Sequence, residues 1–117
     1  MFRLKRAYEK PDPEDGIRIL VERFWPRDLP QKQAKIDLWL KEVAPSVGLH
    51  RDFGENPGPS GWDSFQSLYR KELKNKHASI KLLREKGEEG TVTLVHNAHD
   101  KDHNAAVLLK QFLEEVQ

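Results

Sequence analysis

Between Thr91 and Asn104 the chain reads Thr-Val-Thr-Leu-Val-His-Asn-Ala-His-Asp-Lys-Asp-His-Asn, so that His96, His99, Asp100 and His103 fall within eight positions. Three imidazoles and a carboxylate are ligand types suited to zinc or another divalent cation. Their spacing does not make a site. If Asp100 caps a following helix, as Asp before a helix commonly does, His103 lies in its first turn and His99 outside it. The i, i+4 facing of a helical zinc motif then fails. Solvent-facing histidines with one helix cap are the simpler account, and no metal site is assigned. His103 and Asn104 form a sharper pair. The positive end of a helix dipole favours the neutral ring, while Asp100 and Asp102 favour the charged one. Such opposition suits a general acid or base near neutrality. The structural alternative is that His103 bonds a backbone carbonyl and Asn104 closes the loop.

A second group, Glu22, Arg23, Trp25 and Arg27, follows an apolar stretch. The planar fork of arginine matches phosphate or carboxylate, and two arginines beside a tryptophan would cradle an anion and a ring. Glu22 joins Asp100, His103 and Asn104 as a candidate for proton handling. Neighbours on a strand face opposite ways, so Glu22 and Arg23 share a pocket only if the strand bulges or ends between them. The competing account pairs Arg23 or Arg27 with Asp100 or Asp102.

These groups need elements to position them. Phe2, Leu4 and Tyr8 alternate with polar neighbours, which predicts a half-exposed strand over residues 2 to 8 near a sheet edge. Pro11-Asp-Pro-Glu-Asp-Gly16 is turn chemistry, and Ile17 to Arg23 supplies a second strand that Trp25-Pro26-Arg27 ends. From Gln31 to Ala44, Ile36, Trp39, Leu40 and Val43 fall at helical spacing, so a core-facing helix is expected there, with Trp39 in the core. Residues 50 to 61 have three glycines, two prolines and no period, and read as a surface loop. Ser60 with Asp63 resembles a helix start, after which Trp62, Phe65, Tyr69 and Leu73 mark one face. A further helix carries Ile80 and Leu83 inward and ends by Gly87 and Gly90. The strand from Thr91 is expected to be central, since Val92, Leu94 and Val95 are apolar on both faces. Ala105, Leu108, Leu109, Phe112 and Val116 mark a last helix.

The sum is a single α/β domain over residues 1 to 117, with a short mixed or parallel sheet of about three strands flanked by about four helices. Its 117 residues suffice for one core. With 20 basic and 19 acidic residues the formal charge is +1, which gives no general drive toward nucleic acid or anionic membrane. Cysteine is absent, which removes disulfides, thiolate metal sites and cysteine nucleophiles. The start lacks an apolar leader segment, and no stretch approaches the roughly 20 apolar residues of a membrane span. A cytoplasmic protein is expected. Serine-hydrolase elbow, Walker and dinucleotide-binding motifs are also missing.

Arg18-Ile-Leu-Val-Glu-Arg-Phe-Trp-Pro-Arg27, Asp37-Leu-Trp-Leu-Lys-Glu-Val-Ala-Pro-Ser46, and Thr91-Val-Thr-Leu-Val followed by Asp100 and His103-Asn104 resemble the YeaO-like family of uncharacterised bacterial proteins. The likeness covers nearly the whole chain and implies a small α/β fold without an established activity. It marks Arg23, Trp25, Pro26, Arg27, Trp39, Lys41, Glu42, Pro45, Ser46, Asp100, His103 and Asn104 as matching the shared pattern. Relatives are sometimes called MarR-type regulators, but no helix-turn-helix with a wing hairpin is present. Departures from the pattern are Glu22 for the usual Asp, Asp28 for the usual Gly, and Ala98-His99-Asp100 for Ala-Lys-Asp.

The expected function is a small-molecule site, open to catalysis, at the carboxyl ends of the Ile17 and Thr91 strands. Arg23 and Arg27 would hold an anionic group such as a nucleotide or sugar phosphate, Trp25 would pack on a ring, and His103 with Asp100 would handle protons. The residues do not identify a cofactor. The alternative is a module that recognises nucleic acid or protein, motivated by Arg70-Lys71 and Lys74 with Lys76.

Overall fold

The computed structural model describes residues 1–115. Four parallel strands form one sheet: β1 (Phe2–Arg6), β2 (Ile17–Leu20), β3 (Leu38–Trp39) and β4 (Val92–His96), in the spatial order β1-β4-β2-β3. Five helices accompany them: α1 (Gln31–Ala34), α2 (Val47–Glu55), α3 (Pro59–Lys74), α4 (His77–Glu89) and α5 (Ala105–Glu114). The expected single α/β architecture holds, with β1 at an edge and β4 inside. Val116, expected in the last helix, lies outside the described residues. No helix among those described is long and apolar enough to cross a membrane.

The β4 strand pairs along both sides, with Phe2 opposite Val92 on one flank and Ile17 opposite Val92 on the other. All five of its residues are buried. Alternation then sorts the sheet into two faces. Ile19, Val21, Val92 and Leu94 point into the large core with Phe65, Tyr69, Leu73, Leu83, Leu108 and Leu109. Burying each such side chain contributes roughly 1.5–3 kcal/mol. The opposite face presents Ala7, Leu20 and Val95, covered by Trp25, Leu29, Ile36 and Trp39. Towards the amino end that second face is ionic. The buried Asp15 carboxylate takes Arg18 Nη1 at 2.6 Å and Lys5 Nζ at 3.0 Å, and Arg18 also donates to the Ala34 carbonyl.

The expected helix from Gln31 to Ala44 is corrected. Helix α1 stops at Ala34, because Lys35 turns left-handed with φ 48°. The chain then returns to β2 through the Asp37 N–H to the Arg18 carbonyl at 2.8 Å and the Arg18 N–H to the Asp37 carboxylate at 2.8 Å. Leu38 and Trp39 add an edge strand. The 3–4 spacing arose from burial on two faces: Ile36 and Trp39 cover one, Leu40 and Val43 the other.

The expected surface loop over 50–61 is corrected as well. Its first half is α2, whose Ser46 cap accepts from the Leu49 N–H. Helix α3 begins at Pro59 after Gly58, not at a Ser60 cap. Gly61 is required there, since a Cβ would sit 1.5 Å from the Asn56 carbonyl oxygen. Strands β1 and β2 are also shorter than expected, ending at Arg6 and Leu20.

Candidate site at the carboxyl ends of the strands

The covering of the two faces shows where the connections of neighbouring strands diverge. The chain leaving β2 runs over the face that Trp25, Leu29 and Ile36 cover, whereas the chain leaving β4 feeds α5, which packs on β1, β4 and the large core. Adjacent parallel strands whose connections depart to opposite faces define a topological switch point, the usual ligand crevice of open α/β sheets. Here that point lies between β4 and β2.

On the β4 side, residues 97 to 104 form a self-bonded loop. Asp100 Oδ1 accepts from the N–H groups of Asp102 (2.9 Å) and His103 (3.1 Å), and Oδ2 lies 3.1 Å from His103 Nδ1. The Asp102 amide first, then the His103 amide and ring, hold the Asp100 carboxyl below its usual range. Asn104 caps α5 by accepting from the Val107 N–H and donates to the Asp100 carbonyl at 2.7 Å. The cap expected at Asp100 therefore moves to Asn104. His103 sits before the helix and outside its first turn. Its exposed ring meets the edge of Trp62 at 5.1 Å between centroids. Behind Trp62 the rings of Phe53, Phe65 and Tyr69 stack into the core.

On the β2 side the strand ends at Leu20, so the strict alternation of Glu22 and Arg23 lapses. The partly buried Glu22 carboxyl is pushed above its usual range by burial, with the nearby Asn97 backbone amide opposing. Its backbone carbonyl receives Trp39 Nε1–H at 2.6 Å. Arg23 donates to the carbonyls of Pro45 (3.2 Å) and Ala44 (3.4 Å), holding the β3–α2 connection in place. Next to it, Ser46 donates to Glu72 at 2.6 Å and Tyr69 to the Val43 carbonyl at 2.5 Å. Trp25 packs edge-on to Trp39 at 5.6 Å and bonds the Leu29 carbonyl. The Arg27 side chain is exposed, and its carbonyl accepts from Tyr8 Oη at 2.5 Å.

The whole span 1–117 matches the family model described as the inactive DUF488-N3 subclade. The chain belongs to that subclade. Its relatives include the uncharacterised protein YeaO of Escherichia coli K12, 32% identical over 113 residues and 96% of each chain. Another is the uncharacterised protein Rv3073c of Mycobacterium tuberculosis H37Rv, 34% identical over 106 residues, 91% of this chain and 88% of that one. No solved structure matches.

In this DUF488-N3 chain the seven candidate residues fall into two groups. Asp100, His103 and Asn104 form one contiguous set, and Glu22, Arg23, Trp25 and Arg27 lie along the other lip. Asn97 joins the two through Glu22. The ion pair weighed between Arg23 or Arg27 and Asp100 or Asp102 does not form among the described residues; Arg23 bonds main-chain carbonyls instead, and Asp100 pairs with His103. Two contributors were absent from the sequence-derived set: Asn97, which acts through its backbone amide and so leaves no side-chain signal, and Trp62, which counted only as one apolar position on a helix.

Proposed function

We propose that this inactive-subclade DUF488-N3 protein binds a small anionic molecule, of the nucleotide or sugar-phosphate class, at the switch point between β4 and β2, and that binding rather than turnover is its role. What supports this reading is the Glu22 carboxyl, partly buried beside the Asn97 backbone amide between two loops that depart to opposite faces. A group so placed has capacity left for a ligand hydrogen bond. Exposed Arg27 on one lip supplies a guanidinium with no ion pair among the described residues, and Trp62 with His103 on the other supplies ring edges. The word inactive in the family description favours binding without chemistry. The Asp100–His103 pair then orients a ligand and need not pass protons.

The test is a thermal-shift panel of nucleotides, sugar phosphates, free bases and divalent metals on wild type, Arg27→Ala and Glu22→Gln. A ligand at 100 times its dissociation constant adds about 2.7 kcal/mol, and each kcal/mol moves a domain of this size by roughly 3 to 6 °C. The expected result is a rise in wild type that both variants diminish. No rise with any compound, in proteins of equal fold, overturns it.

A second reading, recognition of a macromolecule, is favoured by one observation. Phe24 is 73% exposed between Arg23 and Arg27, a composition that suits stacking on an unpaired base. Loss of oligonucleotide retention in Phe24→Ala, with salt dependence in wild type, would select it.

A further inference from the structure

The carboxyl end of the β1–β4 pair holds a guanidinium whose Nε has no hydrogen-bond partner among the described residues. Arg6 stands opposite His96 in the parallel register, so their side chains emerge on the same face. Arg6 Nε is shielded from solvent and has no hydrogen-bond partner, and among the described residues its guanidinium makes no ion pair. Arginine is always charged, and a buried donor left unbonded keeps its desolvation penalty without return. Such a group in a native fold calls for an explanation. The nearby carboxylate does not supply one: Glu9 Oε1 accepts from the Arg6 backbone N–H at 3.2 Å, and the Glu9 N–H returns to the Arg6 carbonyl at 3.1 Å. Glu9 thus ties the main chain and leaves the side chain unmatched.

His96 makes the second half of the arrangement. Its ring is buried, and Nδ1 accepts from the Ala98 N–H at 3.2 Å. That bond fixes the tautomer with the proton on Nε2, a donor. Burial, with Arg6 adding to it and Glu9 opposing, holds the ring below its usual titration range. A cationic donor and a neutral donor therefore neighbour each other at this end of the sheet. Helix α5, which packs over β1 and β4, starts from the loop at this same end of the sheet.

We infer that Arg6 and the His96 ring form an oxyanion subsite, receiving a phosphate or carboxylate group at the carboxyl end of β1 and β4. An oxyanion there pairs with the Arg6 Nη groups and takes the His96 Nε2–H, with the guanidinium neutralising its charge. This rests on the crevice proposed above and deepens it by naming the cation that meets the anionic group: Arg6, since Arg23 is spent on main-chain carbonyls. The Glu22 and Arg27 lips then contact the rest of the molecule.

The experiment uses inorganic phosphate and acetate as probes, titrated at constant ionic strength into isotopically labelled protein, with chloride as the control. The Arg6 Nε–H and His96 ring resonances are followed in wild type, Arg6→Gln and Arg6→Lys. Saturable shifts of both resonances in wild type, with affinity at least about tenfold weaker in Arg6→Gln, are expected from loss of a charge-assisted bond. Arg6→Lys should recover part of the affinity, since charge returns without the planar fork. Saturation by phosphate but not acetate, or the reverse, assigns the group. Shifts that chloride reproduces, that never saturate, or that Arg6→Gln leaves unchanged reduce Arg6 to a solvated edge residue and overturn the inference. The two proposals fail separately. Phosphate binding at Arg6 with no organic ligand in the thermal panel removes the crevice function and keeps the subsite; an organic ligand indifferent to Arg6→Gln does the opposite.

Discussion

The Glu22 carboxyl lies beside the Asn97 backbone amide, and this approach brings the loop leaving β2 against the loop leaving β4. It spans the two segments that carry every candidate site residue. Because burial raises the Glu22 pKa, the folded state binds this proton more tightly than the unfolded chain does. Its contribution to stability is therefore full below the unfolded value of about 4.3 and is lost as pH rises through the higher folded value. Glu22→Gln keeps an acceptor for Asn97 and removes the titration. The variant should match wild type near pH 4 and exceed it at pH 7 in urea midpoint. Equal midpoints at both values would show that the carboxylate is stabilised by something besides Asn97.

Asp15 behaves with the opposite sign. Burial raises its pKa, but the Asp12 amide and the Lys5 and Arg18 side chains outweigh that and leave it lowered. The resulting stability is present above about pH 4 and is lost as pH falls through the depressed folded value. Asp15→Ala leaves Arg18 buried without a counter-charge, and removal of one partner of a buried pair costs roughly 3–5 kcal/mol. Chemical denaturation at pH 7 should show a loss of that size. A loss below about 1 kcal/mol would mean that the Ala34 carbonyl alone satisfies Arg18.

Asp28 adopts φ 62°, where a side chain is strained and glycine is not. Glycine is what the resemblance leads one to expect at this place, and the left-handed turn gives a reason for it. Asp28→Gly should stabilise the fold by up to about 1 kcal/mol. Calorimetry should record a melting temperature a few degrees higher. It also removes a negative charge beside Arg27, so phosphate ligands should bind the variant at least as well as wild type.

Gly16 combines φ 64° with a close approach, since a Cβ there would meet the Thr91 carbonyl oxygen at 2.2 Å. That oxygen accepts from the Ile17 N–H at 3.0 Å and belongs to the entry of β4. Alanine at position 16 must push the two central strands apart at their amino ends. We expect Gly16→Ala to cost more than about 2 kcal/mol, in contrast to Gly54→Ala, which meets nothing within 4 Å. Similar midpoints for the two variants would disprove the close packing.

Much of this architecture could be read from residue types, for reasons that differ by element. Val92, Leu94 and Val95 marked β4 as central because burial on both faces leaves a continuous apolar run. Phe65, Tyr69 and Leu73 marked α3 because one face alone is buried. The segment after Gln31 misled because an edge strand and a turn, each covering a different face, together mimic the 3–4 spacing of a helix. Helix α2 was hidden because only Leu49 among its nine residues is buried and two are glycine. The candidate side chains were legible by chemical type, whereas their use was not: nothing in the residues around Arg23 shows that its guanidinium meets the carbonyls of Ala44 and Pro45. Arg6 was invisible for a similar reason, being one polar position in an alternating strand.

The register that pairs Phe2 and Ile17 with Val92 also orders events in time. The strand that joins the two halves of the sheet is the last one synthesised. Until residue 96 leaves the ribosome, β1 and β2 have no neighbour to share, and the ionic cluster around Asp15 lacks the Thr93 hydroxyl that bonds its carbonyl at 2.7 Å. Contacts of such sequence separation slow folding, because loop closure precedes any return in contact energy. The amino-terminal three-quarters of this chain therefore waits, exposed, for its carboxyl-terminal quarter, and a nascent chain stalled before β4 is a natural substrate for chaperones and proteases.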